Sequence, residues 1–170
     1  LAPELTGGPS LETAKDNFNR RMAKFDRYKT TAKPETESGS ELLSVVFAVG
    51  GAGAQAEYAP MLLDRFSDLL EQKTLRLTLV AGTKSRVAHK FYSLSHAHKH
   101  KQVDVLFSKS KTEYFHDFNK LIHQTDLLVT KPSELSFYAG LGIPILMLPP
   151  IGPQEEFNRR WLLKNRAAVD

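Results

Sequence analysis

From residue 42 onward, short apolar runs alternate with stretches in which apolar residues recur every three or four positions. LLSVVFAV (42–49) is an apolar, β-branched run that suits a strand buried on both faces. LRLTLVAG (75–82), QVDVLF (102–107), DLLVT (126–130) and IPILMLP (143–149) read as four further strands. Between them, helical spacing predicts helices over 54–72, 84–96, 112–124, 133–141 and 154–166. The first of these places Tyr58, Met61, Leu62, Phe66 and Leu69-Leu70 on one side. Strand and helix in strict succession, with short links, predict an α/β fold: a doubly wound, Rossmann-like parallel sheet with helices on both faces.

Before residue 42 the rhythm is different. LAPELTGGPS is turn-rich, 11–28 reads as a helix with Phe18, Met22 and Phe25 on one stripe, and TTAKPETESGSE (30–41) is polar and expected to be a mobile loop. The domain reading is therefore a helical entry segment with linker over 1–41 and a Rossmann-like domain over 42–170. The chain opens without Met, which fits a piece of a longer protein.

Composition changes this picture little. The chain has 170 residues, 41% hydrophobic and 25% charged, with a net charge of +4. That balance is globular. The absence of cysteine removes disulfides and thiolate metal sites, and suits a reducing, cytoplasmic setting. No apolar run reaches the roughly 20 residues that span a bilayer. Basic residues are interspersed rather than gathered on one face, which argues against nucleic acid as a partner.

Candidate chemistry gathers where strands end, since ligands of such sheets sit outside the strands' carboxyl ends. AVGGAGAQAEY (48–58) places Gly50, Gly51, Ala52 and Gly53 between the first strand and its helix. Bare backbone N–H groups before a helix favour an anion. A tight turn with no ligand explains the same residues. The spacing matches neither G-x-G-x-x-G nor a P-loop. In KPSEL (131–135), Pro132 starts a helix, Ser133 is a potential cap, and Glu134 either complements the helix dipole or accepts a ligand's hydroxyls. After the fifth strand, Pro149, Pro150, Gly152 and Pro153 stiffen a loop that leads into Gln154, Glu155, Glu156 and Asn158. HAHKH (96–100) would align three histidines only on a strand, and it reads better as a solvated link. In NRRWLLKN (158–165) the Trp reads best as packed into its own domain, with contact to a membrane or to another domain as the alternative.

The stretch 125–165 resembles the carboxyl-terminal, donor-binding domain of GT-B glycosyltransferases, particularly the branch of the peptidoglycan transferase MurG and the plant galactolipid synthases. Asp126–Val129, Gly142-Ile143-Pro144, Ile145–Leu148, Pro149, Gln154-Glu155 and Asn158 match that branch in order. The Gly50–Gly53 stretch resembles its glycine loop. The resemblance implies one half of a GT-B architecture and a nucleotide-sugar ligand, a UDP-sugar by preference, with no cofactor. It assigns Gly50–Gly53 to the diphosphate, the backbone near Phe107 and Ser108 to the base, and Gln154 and Glu155 to sugar hydroxyls. It also places Lys84 near the site. The family's Ser-Gly-Ala turn reads Lys131-Pro132-Ser133 here, its second loop Gln is Glu155, and its ribose-binding Glu falls on Phe137, with Glu134 one helical turn earlier. The acceptor half and the catalytic base of such enzymes belong to an amino-terminal domain that has no counterpart in this chain. No catalytic or metal-binding residue is therefore named, and no turnover is expected from this chain alone. The rival readings are a non-catalytic nucleotide-, sugar- or protein-binding module of the same fold, and half of a nucleotide-sugar epimerase.

Overall fold

The computed structural model describes residues 11–30, 42–49, 53–98, 101–133 and 135–170, with side chains except at 11, 12, 27–30 and 135–137. The loop expected at 30–41 lies almost wholly outside these residues. The chain divides into two compact units, one running from the first strand to Thr125 and the other joining helix α1 (Leu11–Thr30) to everything from Asp126 onward.

In the first unit, β1 (Leu43–Ala48), β2 (Leu75–Gly82) and β3 (Val103–Phe107) pair in parallel in the order β3-β2-β1. Val45 faces Leu77, and Leu79 faces Val105. Successive residues Val45, Val46 and Phe47 are at most 1% exposed, so β1 is covered on both faces. This burial is why the strand reads as an unbroken apolar run. Helices α2 (Tyr58–Arg65), α3 (Ser67–Glu71), α4 (Ser85–His98) and α5 (Lys111–His123) complete the unit. Phe91 of α4 packs its ring 6.0 Å from that of Phe47.

The single helix expected at 54–72 is two. Residues 54–57 form a turn, with Gln55 at φ 67° and the Tyr58 N–H donating to the Gln55 carbonyl at 3.0 Å. Phe66 (φ −97°, ψ 5°) separates α2 from α3. The helical hydrogen bonds continue across it, from Phe66 N–H to Leu62 O and from Leu70 N–H to Phe66 O, both 2.9 Å. The apolar spacing therefore survives the break and conceals it. Met61, assigned to the buried side by that spacing, is 43% exposed, and Leu63 is buried instead.

In the second unit, β4 (Leu127–Thr130), β5 (Ile145–Met147) and β6 (Ala168–Val169) pair in parallel in the order β4-β5-β6. Helices α6 (Leu135–Gly140) and α7 (Pro153–Lys164) connect them. Ile145, Met147, Leu162 and Ala168 form the core, with Tyr138, Ala139 and Leu163 against it. Leu128 N–H donates to Pro144 O, and Leu148 N–H to Thr130 O, so pairing extends beyond the short β5 on both sides.

Helix α1 is tied into this unit at three points. Lys24 Nζ lies 2.6 Å from Asp126 Oδ2, both side chains nearly buried. Arg21 donates to the Gly142 carbonyl at 3.3 Å. Gly142 itself (φ +68°) admits the α1 backbone so closely that a Cβ there would overlap the Ala14 carbonyl oxygen. Burial, then the adjacent Arg20, pull the Arg21 guanidinium below its usual value, and Asp126 offsets part of this.

Three helices end alike. Lys73 (φ 56°), Gly142 and Arg166 (φ 52°) are left-handed. In each case the next residue donates five positions back: Thr74 to Leu69, Ile143 to Tyr138, and Ala167 to Leu162. This is the Schellman arrangement, in which glycine is the usual left-handed residue. Only one of the three ends uses it.

Parallel strands joined through helices in both units make the chain α/β and doubly wound, a Rossmann-like fold of the kind that forms one half of a GT-B enzyme. Among the described residues, no helix is long and apolar enough to cross a membrane.

Candidate functional site

In the first unit, the glycine segment follows the carboxyl end of β1. Gly50, Gly51 and Ala52 lie outside the described residues. Gly53 has φ +75°, and an ideal Cβ on it would stand 2.8 Å from Val87 Cγ2 in the first turn of α4. Its identity is thus accounted for by backbone conformation and by the approach of α4. At the end of β2, Gly82 (φ +62°) turns the chain, and Lys84 N–H donates to Ala81 O at 3.2 Å while Lys84 O accepts from Ala88 N–H at 3.0 Å. Lys84 therefore opens α4, with its side chain exposed.

Ser108, after β3, is 1% exposed and fully engaged: its N–H donates to Gly82 O at 3.0 Å and its hydroxyl to Asp117 Oδ2 at 3.3 Å. Two residues on, Ser110 accepts the Glu113 N–H while the Glu113 carboxylate accepts the Lys109 N–H at 2.9 Å, a reciprocal cap that fixes the start of α5. With its N–H spent on β2, Ser108 has no amide proton for a base, and the half-buried ring of Phe107 is the more available group. Phe107 lines a cleft of about 350 Å³ with Ser44, Arg76, Thr78, Asp104 and Asp117. This cleft follows the face of β2 and β3 and includes neither Gly53 nor Lys84.

In the second unit, the turn after β4 is held from α7. Ser133 N–H donates to Lys131 O at 2.8 Å, a γ-turn about the buried Pro132. The Asn158 amide donates to Pro132 O at 3.1 Å and to Ser133 O at 3.3 Å. Glu155, in the first turn of α7, pairs with Lys131 through Oε1 and accepts the Ile151 N–H at 2.9 Å through Oε2. Burial pushes its carboxyl pKa up, but the hydrogen bonds from Lys131 and Ile151 and the Lys131 charge outweigh that, leaving it below the usual carboxylate value.

The unit therefore brings Lys131, Pro132, Ser133, Glu155 and Asn158 together. Asn158 acts as a clamp, and Glu155 as a brace between the turn after β4 and the loop after β5. Each Glu155 oxygen keeps a second acceptor site, and Ser133 and Gln154 are exposed. Glu134, and the side chain of Phe137, lie outside the described residues. The sequence reading did not identify Lys131 as Glu155's partner. The signal available was positional: a Lys directly after one strand and an acid opening the helix after the next, both on the carboxyl side.

Two other expectations resolve differently. His96 and His98 end α4, His100 lies outside the described residues, and among the described residues no group of three or more His, Cys, Asp or Glu could hold a metal. Trp161, expected to pack into its own domain, is 45% exposed, with Phe157 one turn earlier at 70%.

A family model described as "Domain of unknown function (DUF6938)" matches residues 84–159. No curated protein matches the sequence. Among solved structures, the chain is similar to UDP-GlcNAc 2-epimerase from Neisseria meningitidis bound to UDP-GlcNAc, with 13% identity and a TM-score of 0.50, covering 90% of this chain and 40% of the epimerase. It is also similar to the E. coli heptosyltransferase WaaC with ADP-2-deoxy-2-fluoro heptose, at 14% identity and a TM-score of 0.47, covering 82% of this chain and 47% of that one. The chain thus spans less than half the length of either enzyme, and the likeness is one of fold.

Proposed function

We propose that this chain is a nucleotide-sugar-binding domain, the donor half of a GT-B-type glycosyltransferase whose acceptor half lies elsewhere. The observation that carries the proposal is the braced turn after β4, where Lys131–Glu155 and Asn158 fix the backbone that leads to the exposed Ser133, with Gln154 opening the next helix. Fixed polar groups at strand carboxyl ends are what a hydroxyl-rich ligand requires. On this reading Gly50, Gly51 and Ala52 offer backbone N–H groups to a diphosphate, Lys84 adds positive charge, Phe107 and Ser108 border the base, and Ser133, Glu134, Gln154 and Glu155 meet ribose or sugar hydroxyls. The bound molecule of the epimerase makes UDP-GlcNAc the first ligand to test.

Isothermal titration with UDP, UDP-GlcNAc, UDP-glucose and GDP-mannose tests the proposal. Binding of a UDP compound that weakens at least about tenfold in Gln154→Ala or Ser133→Ala supports it, that being the scale of one lost hydrogen bond to a ligand. Absence of binding to all four by well-folded protein overturns it. Gly53→Val is unsuitable as a probe, because Val87 makes it a folding mutation.

The same likeness supports a second reading, half of a nucleotide-sugar epimerase. Conversion of UDP-GlcNAc to its 2-epimer by the full-length protein, without an acceptor, would favour it.

A further inference from the structure

We infer that the unit formed by α1 and the chain after Asp126 contains a binding site for a short aliphatic carboxylate. The tail lies between the apolar stripe of α1 and the amino ends of β4, β5 and β6, and the head meets Arg166.

A cleft of about 250 Å³ separates Phe18, Met22 and Phe25 of α1 from Leu127, Ile145 and Val169. Leu127 and Ile145 are the first residues of β4 and β5, and Val169 lies in β6. The cleft therefore stands at the amino ends of the strands, and the inference is independent of the nucleotide-sugar reading. The three α1 side chains are only half-buried and Val169 is 60% exposed, so the stripe faces a space that the described residues of this unit do not fill. At about 30 Å³ for each water-sized group, the space holds about eight such groups, the length of an octyl chain.

Among the described residues, Arg166 is the one charged residue of the lining; its side chain is exposed and takes part in no ion pair. It occupies the left-handed position of the α7 ending, where glycine would be free of strain. A cation thus stands exposed at the rim of an apolar cleft. Charge selects an anionic head group for an occupant whose tail is apolar.

The test is titration of the 170-residue chain with octanoate, octanol and octyl phosphate. Octanoate is expected to bind about tenfold more tightly than octanol, the scale of one hydrogen bond to a charged group. Arg166→Gly is expected to remove that difference, leave octanol binding unchanged and raise Tm by about 1–3 °C. Met22→Trp, which fills the cleft, should weaken both ligands. Equal octanoate affinity in Arg166→Gly and the parent chain, or no octanoate binding in a well-folded parent, overturns the site. Octyl phosphate binding more tightly than octanoate overturns the carboxylate assignment.

Discussion

Glu155 joins two loops by accepting from Lys131 with one carboxylate oxygen and from the Ile151 N–H with the other. The two side chains are only 13% and 17% exposed, so neither charge is well compensated by water alone. Glu155→Gln keeps an oxygen for Ile151 but removes the charge facing Lys131. It is expected to cost about 1–2 kcal/mol at pH 7 by urea denaturation. Because the folded carboxyl pKa lies below its ordinary value of 4.5, the parent gains stability from this group above that pH and loses it as pH falls through the folded value. The gap between parent and variant should therefore close on acidification below about pH 4.5. A gap independent of pH would show that the ion pair contributes nothing.

Asp126 and its partners should respond asymmetrically. Asp126→Asn leaves Lys24 and Arg21 nearly buried without their acid, at an expected cost of about 3 kcal/mol. Lys24→Met leaves Asp126 within the field of Arg21 and should cost about 1 kcal/mol. Equal losses in denaturant melts would mean that Arg21 does not interact with Asp126.

Gly53→Ala combines a positive φ with the 2.8 Å approach of Val87 Cγ2. The expected loss is about 1–2 kcal/mol. Adding Val87→Ala should lower the steric part and leave the backbone part, so the pair is non-additive in a double-mutant cycle. Strict additivity would rule out the contact.

Lys73→Gly should stabilise the chain by about 0.5–1 kcal/mol, since Lys73 holds a left-handed helix-end position without benefit of glycine. Thermal or chemical melts that show destabilisation would mean that the Lys73 side chain makes a contribution outweighing its backbone strain.

Most of the fold was legible because burial on both faces leaves a plain trace, as in the run from Val45 to Phe47. What escaped notice was short or masked by spacing. β6 is two residues, Ala168 and Val169, too few for any period to register, and it forms because the left-handed Arg166 turns the chain back onto β5. The division at Phe66 was hidden by an apolar stripe that continues through it. Within the candidate site, Gln154, Glu155 and Asn158 stood out by their place after a proline-rich loop. Their partners did not, because Lys131 is separated from Glu155 by 24 positions and Pro132 from Asn158 by 26. Gly53 drew attention as a glycine, but the reason for it, the methyl group of Val87, is a tertiary contact that no local pattern announces.

The grouping of α1 with residues beyond Asp126 also sets an order of assembly. During synthesis the strands β1, β2 and β3 are all available before β4 emerges, so their unit can close while α1 still lacks its partners. Helix α1 is made before these strands but docks only after β4, once Asp126 and Gly142 are available. Interruption of translation before residue 142 would leave Arg21 and the Ala14 turn of α1 without the Gly142 backbone they meet, a state more open to chaperones and proteases than either finished unit.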